Sequence, residues 1–161
     1  MNQMDEPTRA DLEMIDFSYG GSAFARLPDG RSVFVPFAMP GDRVRVRILE
    51  QGKDYCTGQL EEVLRAAPER IIPRCWHFTA CGGCHYQHLS YEQQLEIKQK
   101  IVADQMRRIG KITAPAVNQI IPSPIEGKYR NTIQFHISDN GRPGFRASDG
   151  KTVIEVGECH L

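Results

Sequence analysis

Three cysteines, Cys75, Cys81 and Cys84, stand in the stretch RCWHFTACGGCHYQH at residues 74–88, interleaved with His77, His85 and His88. Thiolates and imidazoles concentrated in one loop suit a disulfide knot, a zinc site, an iron–sulfur cluster or a catalytic thiol. The C-x5-C-x2-C spacing supplies three sulfurs, whereas zinc and iron–sulfur centres each need four ligands. Zinc sites usually pair two C-x2–4-C knuckles or add histidines at x3–5 spacing. Here only Cys81-Gly82-Gly83-Cys84 has the knuckle form, and His85 and His88 are too close in sequence for the usual pair. Clusters more often take three cysteines from a tight loop and the fourth from far along the chain, and the plant-type C-x4-C-x2-C pattern is one residue shorter than this one. Gly82 and Gly83 suit a cluster, because glycine lets backbone N–H groups approach sulfides. Cys159, in GECHL, is the natural remote ligand, at the end of a strand that must return to the core. Spacing fits a cluster better than zinc and leaves both open. Cys56, in DYCTG, has no partner pattern and is expected to be a small core residue.

The rest of the composition narrows the setting. The chain has 161 residues, of which 40% are hydrophobic and 25% charged, as in ordinary globular protein. Lys plus Arg and Asp plus Glu both number 20, so any anionic partner must be drawn by a local patch and not by net charge. No apolar run approaches the ~18 residues of a membrane span. The start, MNQMDEPTRADLE, is polar and acidic, unlike a signal peptide, so a cytoplasmic location is expected. In that reducing compartment five cysteines favour metal or catalysis over disulfides.

Around the cysteine loop the chain divides into segments of different period. From residue 11 to about 65, the stretches LEMIDF, SAFARL, RSVFVP, DRVRVRILE and DYCTGQLEEVL read as strands, separated by the turn sequences YGG, PDG, MPG and QGKD. Five short strands predict a closed barrel of the oligonucleotide-binding type, since closure removes exposed edges. Residues 66–90 show no period. SYEQQLEIKQKIVADQMRRIG then predicts a helix: Ser90 and Gln93 form a capping-box pattern, Glu92 lies in the first turn, and Arg107 and Arg108 lie in the last. Leu95, Val102, Met106 and Ile109 make a stripe expected to pack on a core, and Gly110 is a suitable stop. Beyond residue 117, YRNTIQFHIS, GFRAS and KTVIEVGECHL read as strands joined by DNG and DG turns. The fold class is therefore mainly β with one helix. Residues 1–65 form the barrel, and residues 66–161 form a metal-bearing region with the helix and an antiparallel β segment.

An anionic partner of such a barrel would be met on a strand face. In GDRVRVRI a strand points Arg43, Arg45 and Arg47 to one face and Val44, Val46 and Ile48 to the other. Same-face neighbours lie roughly 6.6 Å apart at about 3.3 Å per residue, comparable to successive phosphates. Guanidinium forks match phosphate oxygens, although a solvated barrel face reads the same way. Tyr19, Phe24, Phe34 and Phe37 are able to stack on bases, but such residues more often fill a core, and Phe34 is assigned there. Lys128, Arg130 and Arg146, on the expected later strands, and Lys98, Lys100, Arg107 and Arg108, on the expected helix, are able to extend a basic track, although scattered surface charge is the default reading. His77, His85, His88 and His136 receive no catalytic role.

CWHFTACGGCHYQHLSYEQQLEIKQK resembles the iron–sulfur segment of the RNA (uracil-5-)-methyltransferases of the 23S ribosomal RNA type, which make 5-methyluridine. The likeness includes the C-x5-C-G-G-C spacing, YRN at Tyr129 to Asn131, and GFRASDGKTVIEVGECHL, similar to the strand pair that ends in the fourth cluster cysteine. Upstream, IDFSYGGSAFARLPDGRSVFVPFAMPGDRVRVRI resembles a TRAM domain, a small RNA-binding barrel. The resemblance implies a [4Fe–4S] cluster on Cys75, Cys81, Cys84 and Cys159, and the TRAM likeness favours RNA contact by Arg43, Arg45 and Arg47, with Lys128 and Arg130 as further candidate contacts. It implies a ribosomal target, since the transfer-RNA branch typically lacks the TRAM head and cluster. Uracil-5 methylation also needs a nucleophilic thiolate, a base and bound S-adenosylmethionine. No glycine-rich cofactor turn or βαβ run occurs here, so the catalytic domain is expected to be absent and this chain inactive alone. A stand-alone RNA-binding module with a structural metal centre and a small iron–sulfur redox protein are the alternative readings.

Overall fold

The computed structural model describes residues 8–161; the polar start at residues 1–7 lies outside the described residues. The chain forms two compact units, Met1–Arg70 and Ile71–Leu161.

The first unit is a curled antiparallel-rich sheet of six strands: β1 (Arg9–Glu13), β2 (Asp16–Phe17), β3 (Ala23–Arg26), β4 (Ser32–Val35), β5 (Arg43–Gln51) and β6 (Tyr55–Arg65). Their order across the sheet is β1-β5-β6-β4-β3-β2. The LEMIDF stretch, expected as one strand, is two: β1 pairs with β5 and β2 pairs with β3. Between them Met14 N–H donates to Asp42 O and Ile15 N–H to Phe24 O, so a single stretch of chain runs from one sheet edge to the other. That continuity lets one stretch of chain serve both edges of the curled sheet, which is a half-barrel and not the closed barrel expected from five strands.

Alternation sorts the side chains. Leu12, Ala23, Ala25, Val33, Val35, Val44, Val46, Ile48 and Cys56 are buried in one apolar cluster with Met14 and Ala38. Small and branched residues dominate because the curled sheet is narrow inside. At Gly58 even a methyl group is excluded: a Cβ there would lie 2.3 Å from Val46 Cγ1 and 3.1 Å from Val33 Cγ2. Gly41 takes φ +86° in the MPG turn before β5, a backbone state that other residues rarely adopt.

The second unit holds the cysteine loop, the helix α1 (Tyr91–Arg108) and a three-stranded sheet of β7 (His136–Ile137), β8 (Pro143–Arg146) and β9 (Val153–Glu155). The capping box forms: Ser90 Oγ accepts from Gln93 N–H, and Gln93 Oε1 accepts from Ser90 N–H. The expected apolar stripe does not enter a core. No residue of α1 is fully buried, and Val102 and Met106 are exposed, as is Ile109 just beyond. The tail also forms less sheet than its alternation suggests, because only β8 offers β7 a partner edge, over His136 and Ile137. Lys128 and Arg130 consequently lie in irregular chain and not on strands. No helix among the described residues is long and apolar enough to cross a membrane.

Candidate functional site

The cysteine loop is held by backbone pairing to the β8–β9 hairpin. Gly82 N–H donates to Arg146 O at 2.9 Å, Ser148 N–H to Ala80 O at 2.9 Å, and Cys81 bridges Ala147. A Cβ on Gly82 would lie 3.0 Å from Ala147 O and 3.1 Å from Arg146 O, so this glycine serves close backbone approach. Gly83 is the one whose N–H reaches sulfur, at 3.4 Å from Cys81 Sγ. Beneath the loop Phe78 packs on His88 with ring centroids 5.5 Å apart, and both are buried beside Leu89. Gln94, in the first turn of α1, donates to Tyr86 O and Leu89 O and ties the loop to the helix.

The hairpin pairing has a chemical consequence. Cys75, Cys81, Cys84 and Cys159 line one recess, together with the apolar Phe145 and Val156 and the polar His77, Gln87 and Glu158. Gln87 accepts from Cys75 N–H at 3.1 Å and also hydrogen-bonds the Cys84 thiol. Burial pushes the Cys84 thiol above its ordinary range; Gln87 opposes this, and the charges of Cys159, Cys81 and Cys75 add to it. Several thiolates gathered in partial burial repel one another, which is the electrostatic character of a site that takes a cationic group. Among the described residues no three His, Cys, Asp or Glu side chains are placed to hold a metal ion. The four thiols therefore share a recess without meeting at one ion. All five cysteines are free, and Cys56 lies in the barrel core, in keeping with its lack of a partner pattern. His85 is exposed and His88 buried. Lys128 adjoins the chain that lines the recess: its N–H donates to His160 O at 2.9 Å and its Nζ is 4.0 Å from Glu158. Arg130 lies over the Tyr129 ring.

On the first unit the arginine stripe has the expected facing, with Val44, Val46 and Ile48 buried opposite it. Its charges are largely matched within the sheet. Arg45 bonds Asp11 at 2.9 Å and Glu62 at 3.0 Å, which raises the guanidinium's pKa further above its ordinary value. Arg47 donates to Gln59 and lies 3.6 Å from Glu61. Arg43 is exposed at the end of the row. Strand alternation alone does not reveal these acids as partners; Asp11 and Glu62 sit directly opposite Arg45 only in the strand register.

Two residues depart from their expected places. Phe34 lies on the outer face of β4, between the buried Val33 and Val35. Asp42, at the start of the expected strand DRVRVRILE and charged, is nevertheless fully buried and accepts from Met39 N–H, Ala67 N–H and Arg70 Nη1. Its signal is parity: residue 42 falls on the inward-facing set with 44, 46 and 48. Phe37, by contrast, is buried as such rings more often are, with φ 66°.

The first unit is a curled six-stranded sheet, and residues 11–60 match the TRAM domain family. Over most of its length the chain is similar to proteins described as RNA methyltransferases. It is 40% identical to an uncharacterized RNA methyltransferase of Aquifex aeolicus over 157 residues, covering 98% of this chain and 36% of that protein. It is 35% identical to the 23S rRNA (uracil(1939)-C(5))-methyltransferase RlmD of Methylococcus capsulatus over 159 residues, covering 96% and 35%. Among solved structures, Pyrococcus abyssi tRNA (uracil-54, C5)-methyltransferase in complex with S-adenosyl-L-homocysteine matches with 29% identity and TM-score 0.63, covering 92% of this chain and 32% of that one. The chain thus spans about a third of the length of these relatives. Because a tRNA enzyme matches 92% of it, the head region does not by itself separate ribosomal from transfer-RNA enzymes.

Proposed function

We propose that the chain supplies the RNA-binding and cluster-bearing portion of a cytoplasmic, S-adenosylmethionine-dependent 23S rRNA (uracil-5-)-methyltransferase that makes 5-methyluridine. Residues 1–65 are the RNA-binding barrel. Residues 66–161 carry a [4Fe–4S] cluster on Cys75, Cys81, Cys84 and Cys159. Arg43, Arg45, Arg47, Lys128 and Arg130 contact the RNA backbone, and S-adenosylmethionine is bound by the further part of a longer protein. The observation that carries this reading is the delivery of Cys159 to the recess of the other three cysteines, which makes a set of four soft sulfur donors. Methyl transfer to uracil moves no electrons through a redox centre, so the cluster serves to hold the loop and hairpin in shape.

The test is iron, acid-labile sulfide and zinc content of anaerobically purified protein. About four iron and four sulfide per chain, lost in Cys159→Ser, is the expected result for such a cluster. About one zinc without sulfide would overturn the ligand assignment and leave a zinc-stabilised binding module.

A further inference from the structure

Outside the arginine stripe, the outer face of the first unit carries a row of aromatic rings. Phe24 on β3 pairs directly with Phe34 on β4, and Ser32, on the same face of β4 as Phe34, pairs with Tyr55 on β6. The ring centroids are 6.2 Å apart for Phe24 and Phe34, and 6.0 Å for Phe34 and Tyr55. These rings do not fill the core, because Ala23, Ala25, Val33, Val35 and Cys56 alternate with them and occupy it. Phe24 and Phe34 are half-buried by one another, and Tyr55 is 55% exposed.

The charges beside the row differ from those on the stripe. Arg26, on the same face of β3, is bonded to Gly30 O and has no carboxylate partner among the described residues. Lys53 is exposed in the turn that leads into Tyr55. The one carboxylate in line with the row, Asp16 opposite Phe24, accepts from Phe17 N–H at 2.8 Å. An aromatic row beside Arg26 and Lys53, for which no ion pair is seen among the described residues, fits single-stranded nucleic acid: every base offers a face to stack, and the cations meet the backbone.

Building on the RNA-binding reading, we infer that the barrel grips unpaired bases on Phe24, Phe34 and Tyr55, with Arg26 and Lys53 on the adjoining phosphates. The arginine stripe, matched to Asp11, Glu61 and Glu62, has less charge to give. Cross-strand ring pairs also stabilise sheets by themselves, so the test must separate binding from folding.

The test titrates the whole chain with a labelled oligouridylate of about 12 nucleotides, within the ~4–16-nucleotide site sizes of such barrels, and with a duplex of the same length. Tyr55→Ala and Phe34→Leu are each expected to weaken single-strand binding roughly 5- to 150-fold, the equivalent of about 1–3 kcal/mol per stacked base. Their salt dependence should match that of the wild type, whereas Arg26→Ala should flatten the log–log slope by about 0.7. Duplex binding should be weaker and unaffected by Tyr55→Ala. Wild-type binding that Tyr55→Ala leaves intact would overturn the aromatic platform and spare the RNA-binding reading. Failure of the wild type to bind at all in low salt would overturn both. Tyr55 is exposed, so its variant keeps the test decisive if Phe34→Leu lowers the thermal midpoint.

Discussion

Removing the carboxylate of Asp42 should cost the first unit about 3 kcal/mol, near the lower end of what is lost when one partner of a buried ion pair is deleted. The side chain is fully buried and accepts three hydrogen bonds: Met39 N–H at 3.0 Å, Ala67 N–H at 2.9 Å and Arg70 Nη1 at 2.5 Å. Arg70 also donates to Phe37 O at 3.0 Å, so the pair fastens the left-handed turn at Phe37 to the chain leaving β6. Asp42→Ala strands these donors, each worth about 1–3 kcal/mol when buried and unsatisfied. Because the Arg70 side chain keeps 15% of its surface exposed, water relieves part of its loss, and the sum falls well short of three full penalties. Asp42→Asn should cost about 2 kcal/mol, since its NH2 must face one of the former donors. Arg70→Met leaves the carboxylate with two N–H partners and should cost less than Asp42→Ala. Urea unfolding followed by circular dichroism gives the midpoint shift, and amide exchange at Val44 and Val46 reports the first unit alone. A loss below about 1 kcal/mol for Asp42→Ala, or wild-type behaviour of Asp42→Asn, would refute the clasp, because either falls below the cost of even one stranded buried donor.

Gly58→Ala is expected to destabilise the barrel by about 1–3 kcal/mol through overpacking against Val46 and Val33, and adding Val46→Ala should recover part of the loss, as read by thermal unfolding of the single and double variants. Replacing Arg43, Arg45 and Arg47 together by alanine should flatten the salt dependence of RNA binding by about 0.7 for each phosphate no longer neutralised; an unchanged slope would remove the stripe from the interface. Glu155 is held below its ordinary carboxylate range by hydrogen bonds from Ser138 and Asn140. A depressed folded-state value stabilises above the unfolded-state value of 4.5 and loses that contribution as pH falls through the lower folded one, so protection of the β7–β9 sheet should weaken in acid and Glu155→Gln should blunt that dependence in exchange measurements.

Turn chemistry and period-two alternation make the first unit legible. Val33, Val35, Val44 and Val46 declare an inward face, and YGG, PDG and MPG mark where strands end. The same parity, carried through consistently, places Asp42 inside and Phe34 outside. Assigning Phe34 to the core weighs ring size above alternation, yet a narrow curl has room for alanine and valine and not for phenylalanine. The split of LEMIDF into β1 and β2 is not readable, because it depends on which partner edge each half meets. In the second unit local signals succeed where local chemistry decides, as at the Ser90–Gln93 cap, and fail where a partner surface decides. The helix stripe and the YRNTIQFHIS alternation mark faces able to pack, and neither supplies the surface that packs on it.

The cysteine recess shows why a grouping of cysteines can be read from the sequence while its geometry cannot. Cys75, Cys81 and Cys84 are joined by short chain, so their proximity follows from covalent reach. Cys159 reaches them only because Gly82 allows the loop backbone onto Arg146 and Ala147, and because Gly144 lets β9 pass close: a Cβ there would lie 2.1 Å from Ile154 O. Both glycines are therefore part of the backbone arrangement that brings the four cysteines to one recess. A side chain at either position would push loop and hairpin apart and separate Cys159 from its partners. Position 82 is the more selective of the two, since its close approaches join the loop to the hairpin whereas those of Gly144 lie within the sheet.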